Sequence, residues 1–364
     1  MNPHNGRLKI RLVFESKTSI ESRPLSTDKL GMNSQKAKED LIDLDMVPVQ
    51  RREFTEGTMF AADIFLRRAR DNYILMARQG QRANLEQLHV VENDSLEYLY
   101  VRREDYKNCV AQNIMIAELL LKKEEISSKQ KTHFVSRAIE GVFKEIEHSG
   151  ANHESIEHAR LVAANIRTLV EAKPDLTHVV ETLASVPGDL LRHSLAVSTF
   201  SIMIAAKLGW TLQPTLEKLA MGALLHDIGL KEIPKEILNK PRHELSYDER
   251  VIYESHAFRG AEILRSMPSI NDDIISMVYE HHENAIGQGY PRRLRDFRMN
   301  PHAKIIALAD AFCDLTFGDE NTPLPKTPDA ALQFIQITLG QPFNKPAFNA
   351  LKEVLNRKKE SGAA

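Results

Sequence analysis

Five stretches of this chain place histidine or aspartate where helical spacing calls for an aliphatic residue. That coincidence constrains the fold more than any other feature. The plainest stretch is YEHHENAIGQGYPRRL, Tyr279–Leu294, in which His281 and His282 end a pattern whose apolar face carries Ile274 and Val278. In DLLRHSLAVSTFSIMIAAKLGW, His193 shares a face with Ala196, Val197, Phe200 and Ile204. In PTLEKLAMGALLHDIG, Pro214 suits a helix start and Gly229 a helix end. Its buried stripe of Leu216, Leu219, Ala220, Ala223 and Leu224 continues to Asp227, beside His226. DERVIYESHAFRGAEIL puts His256 with Ile252, Gly260 and Ile263, and HAKIIALADAFCDL puts Asp310 with Ala303, Ile306 and Cys313.

One inward histidine is usually a satisfied core residue, and one aspartate at a helix end can be a cap. Five such helices together are different. Burying several imidazoles and carboxylates in one core leaves polar atoms unpaired, which is costly. Divalent cations satisfy them jointly. A mixed nitrogen and oxygen set without thiolates suits iron, manganese or zinc better than calcium or a structural zinc site.

Composition narrows the class. A chain of 364 residues is long enough for two or three domains. A formal net charge of -2 gives no argument for a nucleic-acid polymer as partner. No apolar run approaches the ~18–20 residues of a membrane span, and MNPHNGRLKIRLVFES is too polar for a signal peptide. With two cysteines, Cys109 and Cys313, a disulfide framework is not expected. A cytoplasmic protein without a membrane partner fits these features.

Along the chain, RLKIRLVF alternates like a strand, and the Ser-, Thr- and charge-rich segment after it reads as a flexible lead-in, together 1–45. DIFLRRARDNYILMARQGQ and LEYLYVRREDY read as short strands with turns, giving a small α+β regulatory or interaction module over 46–125. Amphipathic helical spacing follows, from IMIAELLLKKEEI and THFVSRAIEGVFKEIEH onward, so 126–364 is expected to be helical. The expected fold class is mainly α, with an all-helical metal-binding domain preceded by the α+β module.

The order His193, His226-Asp227, Asp310 resembles the HD superfamily of metal-dependent phosphohydrolases. His256 and HHENAIGQGYP resemble its HD-GYP subfamily, whose signature HHExxxGxGYP is complete here. The resemblance runs from about Asp189 to Leu355 and includes LNKPRHELSYDE and GQPFNKPAF. It implies a helical phosphodiesterase of cyclic di-GMP in bacterial second-messenger signalling, with two divalent metals, iron or alternatively manganese. His193, His226, Asp227 and Asp310 would hold one, and His256, His281 and His282 the other, with Asp227 bridging. A metal-bridging hydroxide would attack phosphorus, giving a linear dinucleotide. Some members hold a third metal through an acidic residue one turn before the first histidine. Asp189 stands there, where glutamate is usual, and reads equally well as a carboxylate favoured by the helix dipole.

In the same loop, Gly287 and Gly289 permit positive φ and close backbone approach. Tyr290, Arg292 and Arg293 are candidates to touch substrate, and the resemblance implies a signalling-protein partner for this loop. Two departures stand out. The family usually reads HDIGK, whereas this chain reads HDIGLKEIP, with Leu230 in the lysine position and Lys231, the candidate catalytic lysine, one place on. One residue turns a helical side chain by about 100°. The family also often has DALTSxRPYR after the last metal aspartate. Here DAFCDLTFGDENTPL puts Asp319, Asn321 and Thr322 at the expected Arg, Tyr and basic positions. The departures leave two further readings: a catalytically weak or inactive scaffold that binds nucleotide or a partner protein, and a hydrolase of another phosphoester.

Overall fold

The computed structural model describes residues 9–11, 45–54, 57–69, 72–83, 98–172, 176–267, 270–318, 324–337 and 342–356. Most of the expected lead-in, and Asp319, Asn321 and Thr322, lie outside them. The chain divides into two compact units, Met1–Gln112 and Asn113–Ala364.

The first unit is built on a sheet with strand order β1-β4-β3-β5-β2. The strands are β1 (Lys9–Arg11), β2 (Met46–Gln50), β3 (Ile64–Ala69), β4 (Asn72–Ala77) and β5 (Tyr98–Arg102). Strand β1 runs parallel to β4, and the other pairings are antiparallel. Alternation decides which face is covered. Tyr73, Leu75 and Ala77 of β4 point inward and the residues between them are half-buried, the period of two expected of a one-sided sheet. Met46, Phe65, Tyr73 and Leu75 form the core, with Tyr100 edge-on to Tyr73 at 5.3 Å between ring centroids. In LEYLYVRREDY the strand stops at Arg102 and helix α1 (Arg103–Leu121) begins at once; the division between units falls within α1.

The second unit is helical: α2 (Ser128–Ser149), α3 (His153–Glu171), α4 (Leu176–Ala184), α5 (Asp189–Lys207), α6 (Gln213–Leu225), α7 (Lys235–Leu238), α8 (Tyr247–Glu254), α9 (His256–Arg265), α10 (Asp272–Glu280), α11 (Pro301–Phe317), α12 (Pro328–Ile337) and α13 (Lys345–Asn356). Helix starts follow local chemistry. Ser127 with Gln130 and Ser246 with Glu249 form capping boxes for α2 and α8. Asn271 and Asn300 accept N–H groups of Asp273 and His302 at the starts of α10 and α11.

Helix α5 is the hub and packs on α6, α11 and α13. Phe200 of α5 meets Phe312 of α11 at 4.9 Å, both fully buried. Small residues bring the helices close. A Cβ on Gly222 of α6 would lie 2.2 Å from the Met277 sulfur of α10, and one on Gly229 would lie 2.0 Å from the His256 carbonyl oxygen.

Helix ends differ from the sequence expectation in two places. Helix α6 stops at Leu225, and His226 and Asp227 lead into a 3-10 turn, Ile228–Glu232. DERVIYESHAFRGAEIL breaks at Ser255 into α8 and α9, so His256 begins a helix instead of lying within one. Among the described residues, no helix is long and apolar enough to cross a membrane.

Candidate metal centre

Each expected ligand comes from a helix or a helix end that the core fixes. His193 lies on α5, His226 and Asp227 just past α6, His256 at the start of α9, His281 and His282 just past α10, and Asp310 on α11. The structure brings all seven together. His193 Nε2 is 3.1 Å from His226 Nε2 and 3.1 Å from Asp310 Oδ1. His226 Nε2 is 3.3 Å from Asp227 Oδ2. On the other side, Asp227 Oδ1 lies 3.4 Å from His256 Nε2 and 3.6 Å from His281 Nε2, and those two nitrogens are 3.2 Å apart. His282 Nδ1 is 3.4 Å from Asp310 Oδ2. Asp227 therefore belongs to two ligand groups, one through each oxygen: Asp227, His256, His281 and His282; and His193, His226 and Asp227.

These spacings test whether cations fit. Ligands bonded at about 2.0–2.2 Å to one ion stand about 3.0–3.5 Å apart, close to what is seen. Three histidines are also oriented for the task. The Nδ1 atoms of His226, His256 and His281 each lie 2.7 Å from a backbone carbonyl oxygen three residues earlier, on Ala223, Tyr253 and Val278. Donation there commits the proton to Nδ1 and leaves the Nε2 lone pair facing the cluster. Two such lone pairs 3.2 Å apart, on His256 and His281, repel unless a cation lies between them.

Electrostatics agree. Burial pushes His256 down to about 4. Burial, then His281, pushes His282 well below the usual histidine range. Burial works against charge on Asp227 as well, but His226, His281 and His256 together overcome it and hold the carboxyl well below the usual range. Asp310 is lowered in the same way, with His193, His282 and His226 together overcoming burial. Burial opposes charge on His226, but Asp227, Asp310 and the Ala223 carbonyl together push it up to about 9. Lowered His256 and His282 beside ionised Asp227 and Asp310 have the protonation states that metal ligands need, whereas raised His226 would give up its proton to a cation.

A residue that sequence reasoning missed is Asp314, one turn after Asp310 on α11. Its Oδ1 is 3.4 Å from His193 Nδ1, and its Oδ2 is 3.2 Å from Arg242 Nη1. His193, Asp310 and Asp314 form a third group of possible ligands. The i, i+4 spacing of two aspartates on one inward face was the available signal. Counted without a gap from Asp310 along α11, which runs unbroken to Phe317, the family's serine position is Asp314. The Arg, Tyr and last basic positions then fall on Thr316, Gly318 and Asp319. This corrects the register that assigned them to Asp319, Asn321 and Thr322.

The glycine loop folds around one carboxylate. Buried Glu283 accepts the backbone N–H of Arg292 at 2.6 Å and of Leu294 at 2.7 Å. Tyr290 N donates to the His282 carbonyl. A Cβ on Gly289 would lie 2.3 Å from that carbonyl oxygen, and Gly287 has φ +77°. The loop thus lies on the histidine pair, with the Tyr290 ring 4.6 Å from that of His282.

The remaining candidates lie further out. Arg292 faces Glu280 at 3.7 Å and the Tyr279 ring, and Arg293 is exposed. Asp189 pairs with Arg192 and stands in none of the ligand groups. Leu230 packs against Ile233, Ile237 and Leu245, while Lys231 is exposed on the 3-10 turn.

Imidazoles that converge on shared carboxylates from several helices could hold metal, the arrangement expected of an HD-class domain. Comparison with known proteins agrees: residues 177–343 match the family model described as HD domain. Within that match, HHENAIGQGYP is the segment by which this chain resembles the HD-GYP type, and Leu230 departs from that pattern. A cyclic di-GMP phosphodiesterase of Pseudomonas aeruginosa is 31% identical over 34% of this chain and 30% of its own length. A 3'3'-cGAMP-specific phosphodiesterase of Vibrio cholerae is 29% identical over 44% of this chain and 34% of its own. The cyclic di-GMP phosphodiesterase response regulator RpfG of Xanthomonas campestris is 30% identical over 41% and 39%. The matched region thus spans well under half the length of these relatives. Among solved structures, a HDG"Y"P protein from Bdellovibrio bacteriovorus shares the fold with a TM-score of 0.61, at 20% identity over 85% of this chain and 99% of that one.

Proposed function

We propose that the helical unit is a metal-dependent phosphodiesterase that opens a cyclic dinucleotide, cyclic di-GMP, in bacterial second-messenger signalling. The observation that carries this reading is Asp227, whose two oxygens face two separate sets of imidazole nitrogens. Two divalent ions fit this arrangement, iron or alternatively manganese. His193, His226, Asp227 and Asp310 would hold one, and His256, His281 and His282 the other, with Asp227 shared. Such ions supply activation of a water and neutralisation of phosphoryl charge.

The chain's own residues do the rest. Backbone carbonyls accept from Nδ1 of three imidazoles and so turn their Nε2 atoms inward. Asp310 braces His193 and His282 at once. The Tyr290 ring lies 4.6 Å from that of His282, which supports a role for it in meeting a base or a ribose. Arg292 and Arg293 stand further out, where they would meet the distal part of a dinucleotide or the surface of a signalling partner. The α+β unit is assigned a regulatory role: among the described residues, every group of possible metal ligands lies between His193 and Asp314.

A second reading, a scaffold that binds nucleotide without turning it over, is favoured by one observation. The lysine position carries Leu230, which is drawn into an apolar cluster, and Lys231 is exposed on the 3-10 turn. One experiment separates the two. The protein is loaded with iron or manganese under reducing conditions, and cyclic di-GMP and 3'3'-cGAMP are followed by chromatography with Asp227→Ala as control. Turnover lost in the variant supports the first reading. Full metal content with nucleotide bound and no product establishes the second.

A further inference from the structure

A phosphodiester anion entering this cavity needs a protein cation beside the metal ligands, and the expected positions do not provide one. Leu230 is apolar and packed, and Lys231 is exposed. Thr316 is buried and uncharged. Arg292 is turned toward Glu280 and Tyr279.

Arg242 differs from all of these. It lies in LNKPRHELSYDE, on a short 3-10 turn between α7 and α8. Its Nη1 is 3.2 Å from Asp314 Oδ2, and the other oxygen of that carboxylate is 3.4 Å from His193 Nδ1. Its Cζ stands 5.2 Å over the Tyr253 ring, which lies 5.3 Å from the His256 ring. The guanidinium is therefore braced on both ligand groups, through Asp314 toward His193 and through Tyr253 toward His256. Asp314 fixes its direction with one contact, and a guanidinium carries five N–H donors in a planar fork that suits phosphate oxygens. Its side chain is 52% exposed, so a ligand can reach it from solvent.

We infer that Arg242 is the phosphate-binding residue of this site, donating to a non-bridging phosphoryl oxygen of the bound phosphodiester in place of the lysine that Leu230 replaces. The inference rests on the phosphodiesterase reading for the identity of the diester, but not for the binding of phosphate. Asp314 and Tyr253 position Arg242.

The test uses the full chain loaded with manganese. Metal content is measured first, then the binding of inorganic phosphate and of cyclic di-GMP by calorimetry, for wild type, Arg242→Ala, Arg242→Lys and the double variant Arg242→Ala with Leu230→Lys. The expected result is unchanged metal content with phosphate and dinucleotide binding weakened about tenfold to a hundredfold in Arg242→Ala. Arg242→Lys and the double variant should each recover part of that loss. In turnover, KM should rise more than kcat falls. Unchanged phosphate affinity in Arg242→Ala at full metal content overturns the inference. So does loss of metal in that variant, which would make Arg242 a brace for Asp314 and His193. If wild type binds phosphate through Arg242 but turns over no cyclic dinucleotide, the inference stands and the phosphodiesterase reading fails.

Discussion

The cavity has two sides that are built differently. On the metal side, orientation comes from the backbone: His226, His256 and His281 each lean on a carbonyl of their own helical turn. Those contacts form wherever the helix end forms, whatever side chains surround it. On the side where phosphate would sit, the groups are side chains on turns: Leu230 and Lys231 on one, Arg242 on another, Arg292 on the glycine loop. Such positions change without disturbing a helix. The metal side brings its seven candidate ligands together, while on the other side Leu230 stands where the resemblance implies a lysine.

Asp227→Ala should break the metal side outright. It removes an oxygen from both ligand groups, so bound metal falls to near background by elemental analysis, and any phosphodiesterase activity drops by about a thousandfold or more. Loss of one ion alone would show that Asp227 is not shared. His281→Ala comes next and should empty only the His256 group, leaving close to half the wild-type metal; unchanged content would refute that assignment. Asp314→Asn probes the seam between the two sides. Its carboxylate steadies His193 from behind, so metal affinity should weaken by about 10–100-fold in a competition titration with a chelator.

Two smaller effects sharpen the contrast. Glu283→Ala strips the acceptor from the N–H groups of Arg292 and Leu294 and should cost about 1–3 kcal/mol for each in thermal or urea unfolding. Lys231→Ala should change metal content not at all and stability by less than about 0.5 kcal/mol, with activity altered less than about twofold. A tenfold loss of activity would place Lys231 in the chemistry after all.

Much of the centre was legible before any coordinates. Polar ligand-type residues at helical spacing are hard to hide, because each interrupts an apolar stripe, as Asp227 does after Leu224 and Asp310 between Ile306 and Cys313. The places where periodicity failed share one cause. His226, His256 and His281 sit at helix ends, and Ser255 divides what reads as one continuous helix. A helical period cannot see an end that is set by tertiary contact, such as the approach of Gly229 to the His256 carbonyl. Asp314 was overlooked for a related reason: its partners, His193 and Arg242, are distant in sequence and become neighbours only when α5, α11 and the turn before α8 pack together.

By itself, the sequence singled out the candidate metal ligands and the glycine loop that follows His281 and His282, because ligand chemistry restricts residue types and each ligand interrupts an apolar stripe. The tertiary structure alone decided how the ligands divide about Asp227, that Asp314 stands behind His193, and that Arg242 rather than Lys231 is the cation joined to the cluster. The physical reason is directional. A spacing along the chain fixes the face on which a side chain lies, but only the packing of several helices fixes which atoms of those side chains meet.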